Sequence, residues 1–175
     1  MSRGHEDGAP EGGAGRFRAQ VVTVSDRSAQ GERPDRSGPL LAGLLRELGL
    51  AVGDPVVVPD EVTAVQAALR VAATSYDLVV TTGGTGLAPR DVTPEATRPL
   101  LEREVPGLAE ALRQRGAQAV PTAVLSRGVA GTIGPALVVN LPGSPGGVRD
   151  GVAVLGPVLE HALAQLRGGG DHEGG

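Results

Sequence analysis

Short runs of β-branched and aliphatic residues alternate along this chain with stretches of helical apolar spacing roughly a dozen residues long. That alternation constrains the fold more than any other feature of the sequence. Strands are predicted at Arg18–Ser25 (RAQVVTVS), Asp54–Pro59 (DPVVVP), Leu78–Thr82 (LVVTT), Ala123–Ser126 and Leu137–Leu141 (LVVNL). Helices are predicted at Gly38–Leu48, closing on Gly49 as a C′ glycine, and at Val62–Ser75, with Val62, Val65, Leu69 and Ala73 on one face. Thr93–Val105, Leu108–Gly116 and a last segment within Ser144–Leu166 also read as helices, and Gly128–Gly134 reads as a glycine-rich connection. Strands joined through helices need right-handed crossovers, so the expected fold is three-layer α/β, a mostly parallel central sheet flanked by helices. One domain over 17–167 is expected, with the polar, glycine-rich tails 1–16 and 168–175 disordered. In such a fold ligands bind beyond the carboxyl ends of the strands. The loops to inspect are therefore those after Ser25, Val58, Thr82, Val124 and Asn140.

Composition then removes most kinds of chemistry. There is no cysteine, which excludes disulfides, thiol nucleophiles and thiolate-bound metals. All 16 basic residues are arginine, so a Walker A lysine, a Schiff-base lysine and a lysyl-adenylate are impossible. Of the three histidines, His5 and His172 fall in the tails and His161 in the last helix, which leaves little room for imidazole catalysis. Phe17 and Tyr76 are the only aromatics and the net charge is −4, which together argue against nucleic acid as a partner. No apolar run is long enough to cross a bilayer, and no secretory signal opens the chain, so the cytoplasm is the expected setting.

The loops at the expected ligand edge carry what remains. Thr82, Gly83, Gly84, Thr85 and Gly86 follow a buried strand directly, and adjacent glycines let backbone N–H groups turn inward as an anion nest. Arg90-Asp91 follows; the arginine suits a bidentate phosphate contact and the aspartate suits Mg²⁺. Thr93 and Pro94 read as the N-cap and first residue of a helix containing Glu95. Asp60 reads equally well as a helix N-cap or as a ligand carboxylate. Ser25-Asp26 reads as a turn or a ligand pair. Ser144-Pro145 reads as an N-cap pair whose helix end faces the ligand, and Ser126-Arg127 can face the same crevice. Glycine nests with carboxylates and arginines, but without Lys, His or Cys, suit Mg²⁺-assisted nucleotidyl or phosphoryl transfer.

Pro59-Asp60-Glu61, TTGGTG at Thr81–Gly86, RDVTPE at Arg90–Glu95, LSR at Leu125–Arg127 and NLPGSP at Asn140–Pro145 together resemble the Mog/MoaB family of molybdopterin adenylyltransferases, over Arg18–Leu166. The resemblance implies the molybdopterin-binding fold, a homotrimer, and Mg²⁺-dependent adenylylation of molybdopterin by ATP with release of pyrophosphate. It implies catalytic roles for Asp60, Asp91 and Ser126, with Mg²⁺ on Asp60 and Asp91. It further implies substrate-binding roles for Ser25, Asp26, Thr82, Gly83, Gly84, Thr85, Gly86, Arg90, Thr93, Pro94, Glu95, Asn140, Pro142, Gly143, Ser144 and Pro145. The chain ends soon after the last predicted helix, so a separate molybdenum insertase is expected as its partner. The alternative functions are a non-catalytic molybdopterin carrier of the MoaB type and a nucleotide- or phosphosugar-binding domain unconnected with pterins.

Overall fold

The computed structural model describes residues 16–168, so the disorder expected of 1–16 and 168–175, apart from Arg16 and Gly168 themselves, and the placement of His5 and His172 lie outside the described residues. In chain order the elements are β1 (Arg18–Val24), α1 (Asp26–Ala29), α2 (Ser37–Glu47), β2 (Ala51–Val52), β3 (Val56–Val58), α3 (Val62–Ser75), β4 (Leu78–Thr82), α4 (Thr93–Thr97), β5 (Arg103–Glu104), α5 (Pro106–Ala119), β6 (Ala130–Ile133), β7 (Ala136–Leu141) and α6 (Pro145–Leu166). The sheet runs β2-β1-β4-β7-β6-β5, with β3 also paired to β1. β1 pairs in parallel with β2, β3 and β4, and β4 pairs in parallel with β7. β6 and β5 extend the far side antiparallel. The expected three-layer, mostly parallel architecture is what the chain adopts.

Residue parity divides the core between the two faces of the sheet. Val21, Leu78, Val80, Leu137, Val139 and Leu141 point to one face, where Leu41 and Leu45 of α2 and Leu155, Leu159 and Leu163 of α6 cover them. Val22, Val24, Val79 and Val138 point to the other, where Val65 and Leu69 of α3 and Ala96 of α4 cover them. The central strands are covered on both sides, which is why they read as near-continuous aliphatic runs. Gly49 ends α2 with φ +91, the left-handed closure its position predicts.

Four expectations are corrected. Thr93–Val105 is not one helix. Pro99 lacks the N–H that would bond back to Glu95, so α4 stops at Thr97, a 3₁₀ turn carries Arg98–Leu100, and β5 follows. Ala123–Ser126 is not a strand; Pro121–Leu125 forms a 3₁₀ turn with Val124 and Leu125 exposed. The Gly128–Gly134 connection contains β6, where Gly131 lets the edge pack closely: a Cβ there would lie 2.3 Å from the Arg103 carbonyl oxygen. Leu108–Gly116 is the middle of a longer helix, α5, which starts at Pro106 because proline fits a first helical turn.

One ion pair ties the two ends of the domain together. Arg167, just past α6, donates through Nε to Asp77 Oδ1 at 3.0 Å and through Nη2 to Oδ2 at 2.9 Å. The Arg18 N–H, at the start of β1, donates to the same carboxylate at 2.8 Å. Burial pushes the Asp77 pKa up, but these donors outweigh it and hold the carboxyl below the ordinary 3.8. A depressed carboxylate pKa stabilises the fold above the unfolded value, and that stabilisation is lost as pH falls through the folded value. The stability gap between wild type and Asp77→Asn is therefore expected to be constant at neutral pH and to close below about pH 4. Thermal melts across pH 3–7 measure this, and a gap independent of pH would contradict it.

Candidate active site

The parallel strands β1, β3, β4 and β7 all end on one edge, and strand order reverses between β1 and β4. A cleft of about 980 Å³ opens there. Its floor is the loop Gly83–Gly86. Gly83 and Gly84 have φ of +99 and +70, and both lie where a side chain has no room: a Cβ on Gly83 would meet the Val24 carbonyl oxygen at 2.5 Å, and one on Gly84 the Thr93 hydroxyl at 2.3 Å. The glycines are thus required by conformation and by contact.

A buried hydroxyl and amide network holds this floor to the helix behind it. Thr93 donates from Oγ1 to the Gly83 carbonyl at 2.9 Å, and its N–H donates to the Gly84 carbonyl at 3.1 Å. Thr97 Oγ1 donates to the Thr93 carbonyl at 2.7 Å. Asn140 Nδ2 donates to Thr81 Oγ1 at 3.0 Å and to Thr97 Oγ1 at 3.2 Å, while its Oδ1 accepts from the Val129 N–H at 3.2 Å. Thr82 Oγ1 donates to the Pro142 carbonyl at 2.9 Å, joining the floor to the loop after β7. Among the described residues no buried side-chain polar atom is left without a partner. A network so completed ties the glycine loop, α4 and the loop after β7 into one arrangement.

The carboxylates gather at the β1 and β3 ends. Asp60 Oδ2 accepts from the Asp26 N–H at 2.9 Å, and Asp26 Oδ1 accepts from the Asp60 N–H at 2.8 Å, a reciprocal pair that locks two loops together. The N-cap position of α3 is Glu61, without a side-chain cap bond, so the capping alternative for Asp60 is overturned. Burial raises the Asp60 pKa, the Asp26 and Asp91 carboxylates push it the same way, and the Asp26 N–H and the Arg90 guanidinium oppose them. Asp91 accepts through Oδ2 from the Ala88 N–H at 3.0 Å, a local turn, and forms no ion pair with Arg90. Three carboxylates and one guanidinium therefore influence the same corner of the cleft.

Of the residues singled out from sequence, Ser25, Asp26, Asp60, Thr82, Gly83, Gly84, Thr85, Gly86, Arg90, Asp91, Ser126, Asn140, Pro142, Gly143, Ser144 and Pro145 line the cleft. Thr93, Pro94 and Glu95 do not. They stand behind the glycine loop, and Thr93 is the first residue of α4 rather than its cap, the cap position being Val92. The Ser25 and Ser144 hydroxyls cap α1 and α6, accepting from the Ser28 N–H at 3.3 Å and the Gly147 N–H at 3.1 Å. Sequence reasoning named the loop after Ser25 but not the arginines of the β1–α2 loop as site residues, Arg27, Arg33 and Arg36, and it missed the α5 wall, which brings Leu112, Arg113 and Gly116. The first was accessible, because that loop follows the carboxyl end of β1. The second depends on where α5 packs and has no local signal. His161 is exposed on α6 and does not line the cleft.

Fold and cleft define the class: a doubly covered α/β domain with its cleft at the topological switch point of a mostly parallel sheet, where ligands bind in such folds. The pattern of the family described as a probable molybdopterin binding domain matches residues 20–161. The chain is 43% identical over 167 residues to a molybdenum cofactor biosynthesis bifunctional protein of Synechococcus elongatus, an alignment covering 95% of this chain and 52% of that one. It is 37% identical over 155 residues to a molybdopterin adenylyltransferase of Helicobacter pylori, covering 85% of this chain and 86% of that one. Among solved structures, the molybdopterin biosynthesis Mog protein of Mycobacterium ulcerans matches with a TM-score of 0.81 and 47% identity, covering 86% of this chain and 99% of that one. The chain belongs to the molybdopterin binding domain family. It spans about half the length of the bifunctional relative and most of the length of the adenylyltransferase. Among the described residues no helix is long and apolar enough to cross a membrane.

Proposed function

We propose that this domain is a molybdopterin adenylyltransferase acting in molybdenum cofactor biosynthesis. An oxygen of the terminal phosphate of molybdopterin attacks the α-phosphorus of ATP, the bond to the β-phosphate breaks, and pyrophosphate leaves as adenylyl-molybdopterin forms. The observation that carries this reading is the convergence of the glycine nest, Asp60, Asp91 and Ser126 on one cleft whose side chains include no Lys, His or Cys. Such a set positions phosphates and balances charge, which is what transfer of a group between two phosphates needs.

In this reading the N–H groups of Gly84, Thr85 and Gly86, and that of Gly146 in the first turn of α6, receive phosphate oxygens, the Gly83 and Gly147 N–H groups being taken by the Leu141 carbonyl and the Ser144 hydroxyl. Arg27, Arg33, Arg36 and Arg90 line the cleft without an ion-pair partner among the described residues and supply positive charge for a polyphosphate. Ser126 stands beside the reacting groups. No cluster of three or more metal-ligating side chains occurs among the described residues. Two crowded carboxylates nonetheless fit a hard ion that takes one or two carboxylates and completes its shell with water and phosphate. Asp60 and Asp91 would hold Mg²⁺, which when bound supplies Lewis-acid charge to the phosphates. The same reading extends to a homotrimer, to a separate molybdenum insertase as partner, and to a cytoplasmic setting.

The test is to follow the α-phosphate. With ATP labelled there, the label is expected to move into a molybdopterin adduct carrying the added mass of AMP. Molybdopterin that binds and is recovered unmodified would replace this reading with that of a carrier.

A further inference from the structure

Arg127 adjoins Ser126 yet does not line the cleft; its guanidinium lies behind the glycine loop. There it reaches three groups. Nε donates to the Gly86 carbonyl at 2.9 Å, Nη2 donates to the Asp91 carbonyl at 2.8 Å, and Nη1 pairs with the Glu95 carboxylate. The backbone N–H of Arg127 also donates to the Thr85 carbonyl at 2.9 Å. The two carbonyls are the ends of the exposed segment Leu87–Arg90. That segment is closed on itself by Asp91 N–H to the Ala88 carbonyl and Ala88 N–H to the Asp91 carboxylate. The local turn fixes the Asp91 carboxylate within its loop, and Arg127 fixes the loop to the rest of the domain.

We propose that Arg127, charge-balanced by Glu95, is a positioning residue that sets Asp91 against Ser126 and the glycine loop. This rests on the adenylyl-transfer reading. Glu95 then acts through Arg127 and not on substrate, which accounts for its place outside the cleft. The arrangement needs an arginine. Three acceptors in different directions match a planar fork of fixed donors, and a lysine ammonium cannot span them. The Arg127 hydrogen bond holds the Glu95 carboxyl below the usual glutamate range, so the pair stays ionised across the working pH.

The test is a double-mutant cycle with an independent structural readout. Arg127→Ala is expected to lower kcat roughly 30- to 100-fold, the scale of an ångström-sized misplacement, while KM for ATP changes less than about threefold. Arg127→Lys is expected to recover only a small part of that loss. In an Asp91→Ala background Arg127→Ala is expected to add less than about a twofold loss, because the group it positions is gone. Amide hydrogen exchange at Gly86–Asp91 should quicken in Arg127→Ala and Arg127→Lys, with the β4 amides of Val79 and Val80 unchanged. Multiplicative losses in the double variant, full rescue by lysine, or unchanged exchange at Gly86–Asp91 would each overturn the proposal. If the wild type itself transfers no adenylyl group, the functional reading fails instead. The exchange data then decide alone whether Arg127 holds this loop.

Discussion

Asp91→Ala is expected to lower adenylyl-transfer turnover by roughly 10²–10³-fold while leaving the fold intact. The two halves of that expectation come from different contacts. Within the protein the carboxylate accepts one hydrogen bond, from the Ala88 N–H in an exposed turn, so its removal should cost stability only about 1 kcal/mol. In the cleft it is one of three carboxylates around the proposed phosphate site, where charge placement sets the barrier. Asp60→Ala should match it in activity and exceed it in stability cost, because Asp60 Oδ2 also anchors the Asp26 N–H across two loops. Steady-state turnover measured beside a thermal melt separates the effects. Near-wild-type turnover in both variants would remove the two aspartates from the mechanism.

Gly84→Ala should act through structure first. The left-handed φ of +70 costs an alanine about 1–2 kcal/mol, and the added Cβ would lie 2.3 Å from the hydroxyl of fully buried Thr93. Thr93 cannot yield without giving up its bond to the Gly83 carbonyl, which is the junction between the glycine loop and α4. A total loss on the order of 3 kcal/mol is expected, a drop in Tm of roughly 6–12 °C for a chain of this size, together with loss of ligand binding. Gly43 provides the contrast. It lies within α2 with negative φ and nothing within 4 Å of an added Cβ, so Gly43→Ala should be neutral or stabilising by up to about 1 kcal/mol. Equal stability of the two variants would show that the glycine loop does not need its observed conformation.

What the sequence disclosed and what it concealed divide along physical lines. β1, β4 and β7 were legible because strands buried on both faces must be aliphatic throughout, and α3 because Val65, Leu69 and Ala73 mark one buried stripe, although Val62, expected on the same face, is exposed at the first turn. β2 and β5 are two-residue edge strands, too short to carry a period. β6 (AGTI) has its strand character set by what it packs against. The cleft was legible to the extent that it is built from loops after strand ends. The α5 wall was not, since its register against β6 and α6 is a tertiary outcome. Motif position placed Asn140 at the site but could not show that Thr81, Thr97 and Val129 take up its amide, which depends on α4 arriving over that face. The same holds for Glu95, whose partner Arg127 lies 32 residues away in sequence.

The central claim is that this cleft transfers an adenylyl group, and pyrophosphate release tests it most directly. The purified protein would be mixed with fresh molybdopterin, ATP and Mg²⁺, with each omitted in turn and with Asp91→Ala run in parallel. Release that needs all three components and is lost in the variant is the expected result. Bound molybdopterin with no pyrophosphate from the wild type would contradict it and leave a carrier in place of an enzyme.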